Sequence, residues 1–459
     1  MATPPGRAPT RRHESAQARL ARLGFTDTVA SAAELDALGL LDDGPAAADL
    51  VAALGHAADP DLAARTLGGL RRALDADPAP AGDGATLLAA LADHEPLRSR
   101  LFAVLGASTR LGEHLVLRPQ LWRQLAADCT APPLTTEQLR APLLEAVGAV
   151  EVVAGPGQPT VLRARDDAPE TLEALRLAYR DIQVRVAARD LAGGMDLAEV
   201  AAQLADLAGG ALEAALAVAW AGLAPDAEYC RIAIIAMGKC GGRELNYVSD
   251  VDVVFVAEPV DPSDPEGPAL ASATRVAASL MRICREAAWE VDAALRPEGK
   301  AGALVRTVAG HAAYYEQWAS TWEFQALLKM RPVAGDPDLG RAYVDALWPR
   351  VWTAGDRPGF VGEVQAMRRR VEANIPPAQA ERELKLGRGG LRDVEFAVQL
   401  LQMVHGRADP TLRVGGTLPA LEALSAGGYV GREDAATLIA SYRFLRTVEH
   451  RLQLLRLRR

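Results

Sequence analysis

The sequence is poor in several residue types, and each shortage excludes something. Only four of 459 residues are cysteine (Cys129, Cys230, Cys240, Cys284) and none stand in a C-x-x-C pair. A disulfide scaffold and a structural zinc site are thereby excluded, and packed thiols are expected. The seven histidines are scattered, with no His-x-x-x-His pair. No apolar run is long enough to span a bilayer: the longest, Leu212–Ala224, is interrupted by Glu213. No apolar stretch follows Arg11-Arg12, so no secretory signal is read there. A cytoplasmic protein with no membrane partner is expected. Basic excess is also missing, the net charge being −9, and no tract interleaves aromatic and basic residues. Both argue against nucleic acid as a partner. Lysine is scarcest of all: four of the 50 basic residues are lysine and 46 are arginine. All four (Lys239, Lys300, Lys329, Lys385) fall within one third of the chain, a chance of about 1% for scattered residues.

What is present suits a large globular protein. Hydrophobic residues make up 49% and charged residues 24%, enough for a sizeable core. Residues 1–15 are Pro-, Arg- and Thr-rich and are expected to be mobile. Residues 16–130 carry a helical pattern, a short strand is expected at Ala149–Ala154, and a helix from Glu170 to Leu191. Arg176, Arg180, Arg185 and Arg189 recur on a broad face of that helix, either solvated or set to contact phosphate. The pattern changes at Arg231–Met237 and Asp250–Val256, two strand-like runs of β-branched residues. A helix over about Ala269–Glu290 and a third strand at Val291–Leu295 follow. From 311 onward the pattern is helical, ending in Thr447–Arg459 with no C-cap glycine. No internal repeat is present. The expected division is an N-terminal helical region (1–150), a strand-bearing domain (151–335) and a C-terminal helical bundle (336–459) that looks truncated.

The chemistry concentrates in the strand-bearing domain. Asp250 and Asp252, at i and i+2 on a strand, point to one face about 6–7 Å apart. At an effective dielectric of 20 they repel by roughly 2 kcal/mol. Flanking Val251, Val253, Val254 and Phe255 argue for burial, so a cation between the carboxylates is the better reading, and Mg²⁺ suits all-oxygen ligands. Two surface aspartates on an edge strand are the alternative. Asp292 supplies a third acid on the next strand, and three such carboxylates suit in-line phosphoryl or nucleotidyl transfer. Upstream, Gly238-Lys-Cys-Gly-Gly-Arg243 is a Gly-rich turn whose N–H groups could cradle an anion, or simply a tight hairpin. It is neither a Walker A loop nor a dinucleotide fingerprint.

These residues together resemble the nucleotidyltransferases of the DNA-polymerase-β type. More closely, the sequence is similar to the glutamine synthetase adenylyltransferase/adenylyl-removing enzyme family. Four ordered blocks carry the resemblance: Met237–Asp252, Val291–Lys300, Trp322–Pro332 and Leu384–Phe396. The resemblance implies an α+β fold, predominantly helical, with a polymerase-β-like sheet between an N-terminal helical region and a C-terminal bundle. Members carry two nucleotidyltransferase halves. Leu391-Arg-Asp-Val-Glu-Phe396 is similar to the N-terminal-half version of its motif. The implied activity is therefore removal of AMP from a tyrosine of glutamine synthetase, by Mg²⁺-dependent phosphorolysis that releases ADP. Addition of AMP from ATP, UMP transfer to a PII protein, and a non-catalytic module binding glutamine synthetase or PII are the alternatives. PII signalling proteins and glutamine are implied as effectors. Cys240 stands where the family usually has leucine, and Ala293-Ala294 and Glu298 vary the usual strand and loop.

In this reading Asp250 and Asp252 hold Mg²⁺, and Asp292 is the third ligand or a general base. Gly241, Gly242 and Ser249 cradle phosphate oxygens, with Lys239 and Arg243 as neutralising or merely solvated cations. Arg296 and Lys300 follow the third strand. Lys329 and Arg331 are placed at the end of a helix before Pro332, where they contact phosphate or ribose or offset the helix dipole. Lys385, Arg388 and Arg392 surround Gly387–Gly390 as an interdomain anion contact or a salt-bridge knot. Trp318 and Trp322, at i and i+4, are expected in the core, and His405 and His450 are read as structural. The four lysines, one in each block, are expected to converge on a single anion-binding cleft.

Overall fold

The computed structural model describes residues 15–42, 44–76, 84–153, 160–223, 229–376, 378 and 382–457. The expectation of a mobile start thus lies almost wholly outside the described residues. Two thirds of the chain is helix and the sheets are small, so the α+β, predominantly helical class holds. The chain divides into two compact units, residues 1–131 with 187–192, and residues 132–186 with 193–459. The first is an array of short helices from Ala16–Arg22 to Trp122–Asp128, packed through leucines such as Leu67, Leu70 and Leu101. The arginine face of the helix Pro169–Leu191 differs from expectation at Arg189. That side chain is buried in the first unit and donates to the carbonyls of Asp128 and Ala131.

The strands all lie in the second unit. β1 (Val150–Val153) and β2 (Thr160–Arg163) form an antiparallel hairpin. β3 (Arg231–Ala236), β4 (Val251–Glu258), β5 (Val291–Asp292), β6 (Val305–Arg306) and β7 (Arg331–Gly335) form a mixed sheet in the order β5-β4-β3-β7. β3 pairs antiparallel with both β4 and β7, while β5 and β6 both run parallel to β4. Period two splits the sheet into two buried faces. Ala233, Ile235, Met237, Val254 and Val256 pack with Phe324, Leu339, Leu347, Val351, Trp352 and Met403. The same periodicity puts Asp252 on the Val254 and Val256 side, the side covered by the C-terminal helices.

The helix Leu197–Ala221 is long and apolar enough to cross a membrane, but 89% of its most apolar window is buried inside the protein. Its start is fixed by a capping box between Asp196 and Glu199.

Several expected boundaries shift. Asp250 precedes β4 rather than lying in it, and the third strand is only Val291–Asp292. The helix Thr321–Leu327 ends before Lys329, so Lys329 and Arg331 do not terminate a helix, and Arg331 opens β7. Pro332 is tolerated there because β7 is an edge strand. Trp318 is 74% and Trp322 37% exposed, so neither is the core residue expected. The i, i+4 spacing misleads because the helices Val308–Gln317 and Thr321–Leu327 are separate. All four cysteines are free, and Cys230, Cys240 and Cys284 are buried.

Candidate active site

The site begins where β3 ends. Met237 N–H donates to the Asp252 carbonyl (2.8 Å), and the chain then turns through the single helical turn Gly238–Gly241. Gly238 adopts φ +52°, and a Cβ there would lie well inside contact distance of Asp252 Oδ2. The Asp252 carboxylate therefore rests directly over a glycine backbone. Gly238→Ala is expected to cost about 1 kcal/mol of stability for the left-handed backbone. It should cost more in turnover, about tenfold, because the new methyl displaces the carboxylate. Thermal melting beside a rate assay separates the two effects.

Asp252 and Asp292 are register partners on the parallel strands β4 and β5. Asp292 accepts from Ala294 N–H (2.7 Å), which fixes its carboxylate. Ser249 donates its hydroxyl to the Asp250 carbonyl (2.8 Å), holding the entry to β4. Burial first, then the Asp292 charge and more weakly Asp250, push the Asp252 carboxyl up to about 6, while Lys385 and Arg392 pull it down. The three acids thus share one field with two cations from the bundle. Among the described residues no three His, Cys, Asp or Glu side chains stand together as a complete metal cage. A paired Asp252–Asp292 site with Asp250 nearby nevertheless fits Mg²⁺, which commonly takes one or two carboxylates plus substrate phosphate and water.

Lys385 and Arg392 are set by the turn between them. Arg392 N–H donates to the Lys385 carbonyl (2.9 Å), and Leu391 N–H to the Leu384 carbonyl (2.9 Å). The helix Leu391–His405 follows. Its amino end is already engaged: Asp393 accepts from Gly389 N–H (2.6 Å) and from the Arg368 guanidinium (2.6 Å). Lys385 and Arg388 are exposed on this turn. A cavity of about 720 Å³ is lined by Asn246, Ser249, Lys385, Glu449 and Gln453 among others. It reaches to within one residue of Asp250, and the buried Asn246 Oδ1 on its wall has no hydrogen-bond partner.

The remaining cations engage acceptors within the protein. Lys329 is buried with its ammonium on the Glu244 carboxylate and the Thr417 hydroxyl (3.3 Å). Glu244 also accepts from Thr417 N–H (2.9 Å). Lys239 lies 3.4 Å from both Glu449 carboxylate oxygens. Burial first, then Arg446, lower the Lys239 ammonium to about 7 against the opposing pull of Glu449 and Glu395. Arg243 (φ +54°) pairs with Asp206 (2.5 Å). Arg331 donates to the Gly241 and Cys240 carbonyls (3.2 and 3.0 Å). Arg296 donates to the carbonyls of Ala293, Gly302 and Lys300, while the Lys300 side chain is exposed.

The lysine expectation therefore splits. Lys385 is exposed and lines the cavity that reaches Ser249, Lys239 and Lys329 engage carboxylates, and Lys300 sits on its own loop. The glycine pair likewise has a packing role. A Cβ at Gly241 would collide with the Lys329 carbonyl and stand 2.6 Å from that of Ala236; one at Gly242 would stand 2.9 Å from the Gly415 carbonyl. His450 is buried 3.3 Å from Arg446, and His405 stacks on Tyr429 at 4.4 Å between ring centroids. Glu244 and Glu449 carry no signal of their own in the sequence, while Gly238 is legible only as part of the Gly-rich turn and Glu395 only as an acid near a helix N-terminus.

A small mixed sheet with carboxylates on neighbouring parallel strands, entered from a Gly-rich turn and covered by helices, is a nucleotidyltransferase-type arrangement. The glutamate-ammonia ligase adenylyltransferase family matches residues 98–345, more than half of the chain, and the chain belongs to that family. GlnD PII-uridylyltransferase matches residues 364–459. Proteins named bifunctional glutamine synthetase adenylyltransferase/adenylyl-removing enzyme are similar along nearly the whole chain. The one from Streptomyces avermitilis is 53% identical over 98% of this chain and 43% of its own length. Those from Streptomyces coelicolor and Nocardia farcinica are 54% and 52% identical over 98% and 97% of this chain, again covering 43% of each relative. The chain thus spans about two fifths of the curated relatives it matches, and the matched part is their N-terminal half.

Proposed function

We propose that this chain removes AMP from an adenylylated tyrosine of glutamine synthetase by Mg²⁺-dependent phosphorolysis, in the cytoplasm. The observation that carries the reading is the meeting of Asp252 and Asp292 on paired strands with Lys385 and Arg392 in the same field. The match to the N-terminal half of bifunctional relatives supports removal over addition.

Asp252 and Asp292, with Asp250 nearby, would hold Mg²⁺, which when bound supplies charge neutralisation and orients the phosphates. Lys385 and Arg392 offset the same charge and favour the approach of an inorganic phosphate dianion. Its oxygen attacks the adenylyl phosphorus, and the phosphorus–tyrosine oxygen bond breaks. The phosphate proton ends on the phenol oxygen, so the products are ADP and free tyrosine. Ser249 and the Gly238–Gly242 turn fix the strand ends that aim the carboxylates.

The test is incubation of the chain with adenylylated glutamine synthetase, Mg²⁺ and phosphate, with nucleotide chromatography and mass spectrometry of the tyrosine peptide. ADP release matched by loss of the adenylyl mass is expected. AMP incorporation from ATP without ADP release from the adenylylated protein would refute the removing assignment. The 364–459 match favours a second role for the bundle, contact with a PII signalling protein. Glutamine as an effector rests on the family resemblance alone.

A further inference from the structure

The geometry points to Glu395 as a positioning residue that holds Arg392 on the turn it shares with Lys385, beside the cavity that reaches Ser249, and ties the nucleotide site to the C-terminal helices. This inference rests on the reading that the cleft beside Asp252 takes phosphate groups.

Glu395 lies one turn into the helix Leu391–His405 and is only 2% exposed. Its Oε2 accepts from Arg392 Nη1 at 3.0 Å, and its Oε1 accepts from the buried Tyr442 hydroxyl at 3.3 Å. Arg392, by contrast, is partly open (39% side-chain exposure), with its guanidinium 5.9 Å from the Phe396 ring centroid. A long side chain that must face a substrate phosphate is held from behind by a buried acid at i+3 and flanked by a ring. Tyr442 in turn is 3.4 Å from Arg446, whose guanidinium donates to the Glu244 carbonyl at 2.8 Å. Glu244 carries Lys329, in the segment between the helix Thr321–Leu327 and β7.

The electrostatics agree with that geometry. Burial alone would raise the Glu395 carboxyl, yet Lys329, Arg392, Lys239 and Arg446 together hold it down to about 2. Glu395 is thus a shared counter-charge for four cations, of which Arg392 stands on the turn with Lys385. Removing the negative charge releases Arg392 and leaves three buried or mostly buried cations less well compensated. Glu395 hydrogen-bonds Arg392 and Tyr442 and acts through Arg392.

Calorimetric titration of the full chain with Mg-ADP, for wild type, R392A, E395Q and R392A/E395Q, tests this. Each single variant should bind about tenfold more weakly. The double variant should bind no more than about twofold more weakly than R392A, because the two residues act as one unit. E395Q with wild-type affinity, or a double variant showing the product of the two single losses, would overturn the proposal, as would a wild-type chain that binds no Mg-ADP. If E395Q does not fold, E395D keeps the charge and withdraws it by one methylene. It should then lose a few-fold affinity in the wild-type background and none beside R392A, and loss of equal size in both backgrounds would refute the idea. Wild-type binding of Mg-ADP without phosphorolysis would count against the function proposed above and leave this inference standing.

Discussion

Asp252→Asn is expected to lower phosphorolysis of adenylyl-tyrosine by about 10²–10³-fold or more while leaving the protein folded. The substitution keeps the shape of the side chain and removes the charge that a cation needs. Its effect on stability should have the opposite sign. In the metal-free protein the Asp252 carboxyl is pushed up to about 6, by burial first and then by Asp292. A group raised in the folded state favours folding below its unfolded value, and that contribution is lost as pH rises through about 6. At pH 7.5 the ionised carboxylate therefore opposes folding, and the asparagine variant should melt at the same temperature or slightly higher. Turnover and thermal melting measured side by side separate this from simple damage. A regulatory module without catalysis predicts that the variant retains its full biological effect.

Gly241→Ala is expected to be the most destabilising single-methyl change in the sheet region, at about 3 kcal/mol or more. The added carbon would meet backbone oxygens of Lys329 and Ala236, neither of which is the movable end of a side chain. Relief requires the Gly238–Gly241 turn to leave the start of β7, where Arg331 bonds the Gly241 and Cys240 carbonyls. Denaturant unfolding should show a lower midpoint. Gly238→Ala should show a far smaller fall in stability alongside its loss of rate. Equal stability of Gly241→Ala and wild type would mean that the turn is not packed as described.

Local periodicity made part of this site legible. Asp252 stood out because an acid interrupts a run of β-branched residues, and period two assigns its face; Asp292 stood out as the acid of the next short strand. Asp250 did not follow, because β4 starts one residue later, where its pairing with β5 begins at Val251 and Val291. β6, with two residues, carries no period at all, and Pro332 hid β7, since proline is compatible with a strand only at an edge. The roles of Lys239 and Lys329 were beyond local reading for another reason. Their partners Glu449 and Glu244 lie 210 and 85 residues away in the chain. A lysine beside a glycine loop looks the same in sequence whether it faces a phosphate or a buried glutamate. Lys385 is held on its turn by the Arg392 N–H, which donates to its carbonyl, and its charge opposes the rise of the Asp252 carboxyl.

In the proposed reaction, phosphate attacks the adenylyl group at the Asp252–Asp292 site. Tracing ³²P-labelled inorganic phosphate through a reaction with adenylylated glutamine synthetase tests it most directly. Label in the β-phosphate of ADP, formed by the wild-type chain and nearly absent with Asp252→Asn, is the predicted result. Unlabelled AMP as the product, or labelled ADP formed equally well by Asp252→Asn, would contradict it.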